Sequence, residues 1–353
     1  IQAQDYALIL GMPGTGKTTT IAYIIQLLVR HGKSVLISAY THSALDNLLL
    51  KLRELGVEFF RFHRGSINSV AKELRNVTLT GVNSNIKLKQ LEDLKAQGKF
   101  KVIGCTCAGT NNPLLQALDT FDYCIIDEAT QLTLPIALGP LRFAKVFVLV
   151  GDHYQLPPLV RAANNPLYGQ SLFKQLSVKH PEAVVELHYQ YRMNTDIMSI
   201  SNELVYQNRL IGGTENILNC KLNKIELSYL PELKHGFISS QNWLMQVLNP
   251  SKSVVFLDTD NMPALDSCTD NGHTGGTEVV INRKEAKIAS WLAHALVSCG
   301  VLMEEIGILT PYRSQVSTIR QELRRLHVKE TDTKTIDKYQ GKDKPCVIVS
   351  FAR

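Results

Sequence analysis

Short apolar runs rich in β-branched residues recur along the chain, each followed by a turn signal and then by a segment whose apolar residues repeat at helical spacing. That alternation is the pattern of parallel strands joined by crossover helices, an α/β fold. The runs fall into two sets and predict two sheets. The first set is Tyr6–Leu10, Ser34–Ala39, Lys101–Cys107, Tyr123–Asp127 and Lys145–Val150; the second is Ser253–Asp258, Ile306–Thr310, Thr333–Ile336 and Cys346–Phe351. Helices are predicted over Gly16–Arg30, which stops at Gly32, and over Ser43–Leu55, which starts on a serine cap and stops at Gly56. Asn282–Ser298 and Tyr312–Leu326 serve the second sheet in the same way. Residues 57–100 break the rhythm: a basic Arg61-Phe62-His63-Arg64-Gly65 turn precedes a polar stretch that reads as helical near Leu88–Gln97. We read them as an insertion in a first lobe spanning 1–185, with a second lobe over 186–353. Residues 209–250 are irregular.

Composition narrows the class. With 353 residues, 44% hydrophobic and 20% charged, the chain has apolar material for two medium cores, and nothing suggests disorder. A net charge of +6 favours contact with a polyanion but falls short of a histone-like balance. The seven cysteines are scattered, mostly inside apolar runs, and read as reduced, buried thiols of an intracellular protein. Cys105-x-Cys107 has the wrong spacing for a zinc knuckle. No apolar stretch is long enough to span a bilayer, so no membrane is expected. A chain that begins at Ile1 and ends at Arg353, directly after a strand-like run, reads as a fragment of a longer protein.

Gly11-Met12-Pro13-Gly14-Thr15-Gly16-Lys17-Thr18 matches the phosphate-loop pattern, with an apolar strand before it and a helix after it. Against a chance glycine turn, both flanks favour a nucleotide site. The backbone of Gly11, Pro13–Gly16 and the helix start through Thr19 would surround the phosphates with its N–H groups, to which Pro13 adds none, Lys17 would neutralise them, and the Thr18 hydroxyl would hold Mg²⁺. Asp127-Glu128 ends a buried strand at the edge where open α/β sheets place their ligand chemistry. There Asp127 would orient Mg²⁺ and Glu128 would activate the attacking water. A lone acidic pair after a strand means little; beside a phosphate loop it gains a role. Another strand opens into Gly151-Asp152-His153-Tyr154-Gln155-Leu156-Pro157-Pro158, where Gln155 could bond the terminal phosphate or its water. Taken alone this is a proline-bounded loop, and His153 reads as a surface residue.

These blocks, with Tyr40–Asn47, Ile126–Gln131, Gln190-Tyr191-Arg192-Met193, Thr310-Pro311-Tyr312-Arg313 and Thr335–Asp343, resemble in order the motifs of superfamily 1 helicases of the branch that moves five-prime to three-prime. Within that branch the chain is similar to the family of eukaryotic replication helicase/nucleases, chiefly around Thr41–Leu52 and Asp337–Lys344. The resemblance implies two tandem RecA-like P-loop lobes, ATP and Mg²⁺, and translocation on single-stranded or flapped DNA. It implies that Arg192 is an arginine finger reaching from the second lobe, with Tyr191 stacking on the base; an ordinary Tyr-Arg interface pair is the alternative. It also implies that Thr41, Ser43 and Asn47 grip the strand backbone, unless Asp46 and Asn47 merely support a loop. Thr310, Tyr312, Arg313 and Thr335 would touch the strand from the second lobe. Gln340, Gly341 and Asp343 would lie near ribose and phosphates.

By the same resemblance a glutamine motif for adenine should precede Gly11 and a second arginine finger should follow Arg353. The nuclease domain and its iron–sulfur cysteines lie elsewhere in such proteins. A single-strand DNA-binding protein is the implied partner, the nucleus the implied compartment with the mitochondrion as alternative. Three rivals remain: an RNA helicase of the same branch, a strand-binding piece with little turnover, and a metabolic P-loop kinase. The kinase would need neither the second sheet nor the Gln190–Met193 and Thr335–Asp343 blocks.

Overall fold

A computed structural model describes residues 5–80, 101–111, 113–116, 118, 120–160, 169–222, 225, 242–259, 273–274, 277–278, 280–328 and 331–352. The chain divides into two compact units, with the boundary after Leu218.

The first unit is built on a sheet of eight parallel strands. They are β1 (Tyr6–Gly11), β2 (Val35–Ala39), β3 (Phe60–His63), β4 (Thr78–Thr80), β5 (Val102–Thr106), β6 (Phe121–Asp127), β7 (Ala144–Gly151) and β8 (Val184–Leu187), in the order β4-β3-β5-β2-β6-β7-β1-β8. Every residue of β2 and β5 is buried, as a sheet covered on both faces requires. Successive residues of a strand point to opposite faces. Ile9 and Ile37 accordingly join one core, and Leu8, Leu10 and Leu36 join the other. Helix α1 (Lys17–Arg30) and helix α2 (His42–Glu54) cover the first face. Ile21, Ile25 and Leu28 of α1 fall on one stripe, as do Leu45, Leu48, Leu49 and Leu52 of α2. Each such buried side chain contributes ~1.5–3 kcal/mol. The other face packs on Ala137 of α3 (Leu134–Leu141) and Phe173 of α4 (Leu172–Lys179).

Two expectations are corrected here. Within the stretch 57–100, β3 pairs with β5, and β4 with β3, so residues 60–63 and 78–80 extend the sheet at one edge. The helix expected near Leu88–Gln97 lies outside the described residues. The boundary at 185 moves. Strand β8 adds to β1 with Leu8 opposite Val184, and the chain beyond it stays with the first unit through β9 (Tyr189–Gln190), α5 (Thr195–Leu204) and β10 (Ile211–Gly212). Finally, Ser253–Asp258 is not a strand. No strand among the described residues pairs with it, and Phe256 is 82% exposed.

The second unit carries β11 (Ile306–Thr310), β12 (Asp332–Thr335) and β13 (Cys346–Val349) as a parallel sheet in the order β12-β11-β13. Helices α6 (Arg283–Ser298) and α7 (Arg313–Arg325) pack on it through Ala289, Ala293, Leu296, Ile319 and Leu323. The side chain of Asn282 caps α6 by accepting from Glu285 N–H. Fully buried Gln315 ties that cap to α7: Oε1 accepts from Asn282 N–H at 2.9 Å while Nε2 donates to Asn282 O at 2.9 Å.

Candidate active site

The order of strands brings three loops to one edge of the first sheet. Leu10 lies opposite Gly151, and β7 is flanked on its other side by β6, which ends at Asp127. The phosphate loop, the Asp127-Glu128 pair and the Gly151–Gln155 turn therefore all leave the sheet at its carboxyl end, the ligand edge of open α/β sheets.

Gly14 and Gly16 both take left-handed backbone, at φ 74°, where a Cβ is strained. Thr15 closes the loop on itself, its hydroxyl donating to Met12 O at 2.8 Å. The Lys17 side chain folds over Gly11 and donates from Nζ to Gly11 O at 2.7 Å. A Cβ on Gly11 would collide with it, so the glycine is what allows the lysine to lie along the loop. Thr18 follows in the first turn of α1.

Asp127 is buried. Its Oδ1 accepts from Glu128 N–H at 2.9 Å. Burial, reinforced by the neighbouring Glu128 carboxylate, raises its pKa to about 7; the Glu128 N–H bond and the charge of Lys17 pull the other way. Such a carboxylate is short of positive charge, and with the Thr18 hydroxyl it offers the hard oxygen donors that suit Mg²⁺. Glu128 has left-handed backbone at φ 53°, a strained state for a non-glycine residue. Gln131 Nε2 fixes its side chain by donating to Oε2 at 3.0 Å.

The Gly151 turn is organised by Asp152, which is almost fully buried. Its Oδ1 accepts from Tyr154 N–H at 3.0 Å, and its Oδ2 accepts both Gln155 Nε2 and Tyr206 Oη at 2.8 Å. Burial and the Asp152 carboxyl hold the Tyr206 phenol far above its usual pKa, so it remains a donor. His153, expected at the surface, is half-buried with its ring 4.2 Å from that of Tyr154.

The Gln190–Met193 turn docks on the phosphate loop. Tyr191 N–H donates to Gly14 O at 2.8 Å, and a Cβ on Gly14 would lie 2.8 Å from Arg192 Cβ. Gln190 is fully buried and holds the turn together: Oε1 accepts from Arg192 N–H at 2.8 Å and Met193 N–H at 2.7 Å, and Nε2 donates to Met193 O at 2.7 Å. Beneath, Met12 packs with Tyr206 and Leu210. Arg192 thus falls in the first compact unit, beside the loop that carries Lys17; the sequence reading placed it in the second lobe. Tyr191 is 54% exposed, with its ring against Gly213.

Of the residues expected to meet a strand, Thr41 is the N-cap of α2. Its hydroxyl accepts from Ala44 N–H and lies 3.2 Å from Ser43 Oγ. Thr41, Ser43 and Asn47 are exposed. Asp46 is buried and structural: Oδ1 accepts from Arg61 Nε at 2.6 Å and Oδ2 from Ala71 N–H at 3.2 Å. In the second unit Thr310 and Thr335 sit opposite each other at the ends of β11 and β12. Their hydroxyls are buried without hydrogen-bond partners, as are both polar atoms of the Gln340 amide. Tyr312 is half-buried, Arg313 and Asp343 are exposed, and Gly341 has φ 77°. Asp152, Gln190, Tyr206, Arg61 and Gln315 were not singled out as functional in the sequence. Only Asp152 and Gln190 stood within a recognised block.

Two family models described as AAA domain match the chain, one over residues 168–353 and one over residues 1–99 and 83–163. The chain is 43% identical to the DNA replication ATP-dependent helicase/nuclease of Arabidopsis thaliana, covering 100% of this chain and 25% of that protein. It is 41% identical to the human protein of the same description, covering 99% of this chain and 32% of that one. It spans, in other words, about a quarter to a third of these relatives. The solved PRRSV helicase superposes over 98% of this chain and 52% of its own, at 12% identity and a TM-score of 0.40. Among the described residues no helix is long and apolar enough to cross a membrane.

Proposed function

This chain belongs to the AAA-domain family, as helicase domains of superfamily 1, and from that premise we propose that it is the motor of a DNA helicase, hydrolysing ATP to move five-prime to three-prime along single-stranded DNA. The observation that carries this reading is the meeting of Lys17, the buried Asp127, Glu128 and the docked Tyr191-Arg192 turn around one phosphate loop. The names of the relatives favour DNA replication over the RNA reading.

On this proposal Gly11, Pro13, Gly14, Thr15, Gly16 and Thr19 surround the phosphates with the loop's backbone, and Lys17 exchanges Gly11 O for the terminal phosphates. Thr18 and Asp127 would hold Mg²⁺, which when bound would neutralise charge developing on the phosphate oxygens. Glu128 accepts the proton of the attacking water, Gln155 orients that water, and Arg192 stabilises charge on the transferring phosphoryl group. Tyr191, with Gln340, Gly341 and Asp343, serves base, ribose and phosphates. Thr41, Ser43 and Asn47 in one unit and Thr310, Tyr312, Arg313 and Thr335 in the other hold the sugar-phosphate backbone, which positions without reading sequence. A single-strand DNA-binding protein as partner and the nucleus as compartment complete the reading. It assigns neither a nuclease centre nor an iron–sulfur cluster to these residues.

Lys17→Ala in the full-length protein tests it. The expected result is loss of strand-stimulated ATP hydrolysis and of unwinding; normal turnover would refute the proposal. Stimulation by an RNA strand equal to that by DNA would shift the substrate to RNA.

A further inference from the structure

Two donors share one acceptor beside the phosphate loop. Gln155 Nε2 and Tyr206 Oη both reach Oδ2 of Asp152 at 2.8 Å, a residue only 2% exposed. Its other oxygen is taken by Tyr154 N–H. The Tyr206 ring is 3% exposed and packs with Met12, the second residue of the phosphate loop. The segment carrying it is pinned from the other side: Arg209 donates to Glu186 Oε1 at 2.6 Å and to Tyr154 Oη at 3.0 Å, with its guanidinium over the Tyr154 ring. Tyr206 is therefore fixed, whereas Gln155 hangs on a flexible side chain of a partly exposed turn.

We propose that Tyr206 is a positioning residue for hydrolysis: by keeping hold of Asp152 Oδ2, it frees the Gln155 amide to turn from Asp152 to the nucleotide's terminal phosphate and its attacking water. The inference rests on the reading of Gln155 given above. Its physical basis is the asymmetry of buried hydrogen bonds, in which stripping an oxygen of its last donor costs far more than removing one donor of two. With Tyr206 in place, Oδ2 retains a partner when Gln155 swings away. Without the phenol, Gln155 is the remaining side-chain donor to that oxygen and is retained at Asp152. The contact with Met12 places this hand-over next to the loop that holds the phosphates, so the fixed ring and the moving amide share a wall of one site.

The test is steady-state ATP hydrolysis on single-stranded DNA by the full-length protein, as wild type, Tyr206→Phe, Gln155→Ala and the double variant. Tyr206→Phe keeps the packed ring and removes one hydroxyl. We expect kcat to fall roughly tenfold, about what one hydrogen bond to a buried charged group carries, with KM for ATP and the melting temperature close to wild type. The double variant should match Gln155→Ala alone, since with the amide gone there is nothing left to release. A Tyr206→Phe protein with wild-type kcat beside an impaired Gln155→Ala protein would overturn the inference and leave the role of Gln155 standing. So would losses that multiply in the double variant, or a fall in kcat accompanied by a raised KM and a lowered melting temperature, which is the signature of a merely structural residue. If Gln155→Ala itself hydrolyses ATP normally, the reading of Gln155 fails, and the inference with it.

Discussion

The backbone N–H of Tyr191 donates to the carbonyl of Gly14 at 2.8 Å, so a loop far along the chain is bonded directly to the tip of the phosphate loop. Gly14 has room for that contact because it has no Cβ: one built there would lie 2.8 Å from Arg192 Cβ, on backbone at φ 74°. Gly14→Ala should therefore displace the Tyr191-Arg192 turn in addition to straining the loop by ~1–2 kcal/mol. The expected result is a raised KM for ATP together with a lowered kcat. Gly32→Ala is the control, because Gly32 has φ 77° but nothing within 4 Å of the added carbon. It should lower stability by a similar amount and leave hydrolysis unchanged. Equal kinetic effects from the two variants would mean that the docking of the turn has no functional weight.

Arg192 itself should behave as a group felt in the transition state. Arg192→Ala is expected to lower kcat by about 10³-fold, the lower end of what arginine fingers supply, with little change in nucleotide binding. Arg192→Lys should rescue little, because an ammonium cannot reproduce the planar fork of a guanidinium. Fluorescent-nucleotide titration alongside turnover separates the two effects. A loss of binding that accounts for the whole loss of turnover would assign Arg192 to ground-state grip.

The Arg61–Asp46 pair gives a prediction of stability. Arg61 is fully buried. Its Nε lies 2.6 Å from Asp46 Oδ1 and its Nη2 lies 3.1 Å from His42 Nδ1, joining strand β3 to the first turns of α2. Asp46→Ala leaves a guanidinium in the interior without its counter-charge, a change that typically costs about 3–5 kcal/mol. Urea denaturation should show the midpoint falling with no change of slope. Because Thr41, Ser43 and Asn47 stand on the same helix start, affinity for single-stranded DNA should fall as well. A variant that lost stability but bound the strand normally would separate the anchor from the grip.

How much of this was legible beforehand follows from the range of the interactions. The phosphate loop, Asp127-Glu128 and the strands flanking them are local patterns, set by runs of consecutive apolar residues and by glycine placement, and the structure has them where the sequence put them. Strands β3, β4 and β8 went unseen because each is short. In β3 a fully buried arginine stands where an apolar residue would signal a core strand, and it is acceptable only because Asp46, on another element, neutralises it. The docking of Arg192 at Gly14 was hidden for a related reason: nothing near it in sequence shows that β8 pairs with β1 and carries the chain back to the phosphate loop. The shared acceptor Asp152 Oδ2 joins positions 152, 155 and 206, and no spacing rule connects the last of these to the others. Ser253–Asp258 erred in the opposite direction: an apolar run predicts a strand through its composition alone, and among the described residues no strand pairs with this one.

The histidines beside Arg61 predict a pH dependence. His63 is buried, with Nε2 3.0 Å from Ser69 Oγ and 3.2 Å from Ser66 O, and its ring meets that of His42 edge-on at 4.8 Å. Burial lowers both pKa values. The Arg61 charge adds to the lowering, and Asp46 opposes it. In the folded protein both rings therefore take up a proton less readily than a free imidazole does. Unfolded, they take up protons near pH 6.5. Where the unfolded chain binds more protons than the folded one, stability rises with pH. The contribution of the pair is thus complete above about pH 6.5 and is lost as the pH falls through the lowered folded values. Unfolding free energies measured from pH 7.5 down to pH 5 should decline over that window. His63→Gln, which carries no titrating ring, should flatten the decline while leaving the other histidines' share intact. An identical slope in the variant would show that protonation of His63 is not resisted by the fold.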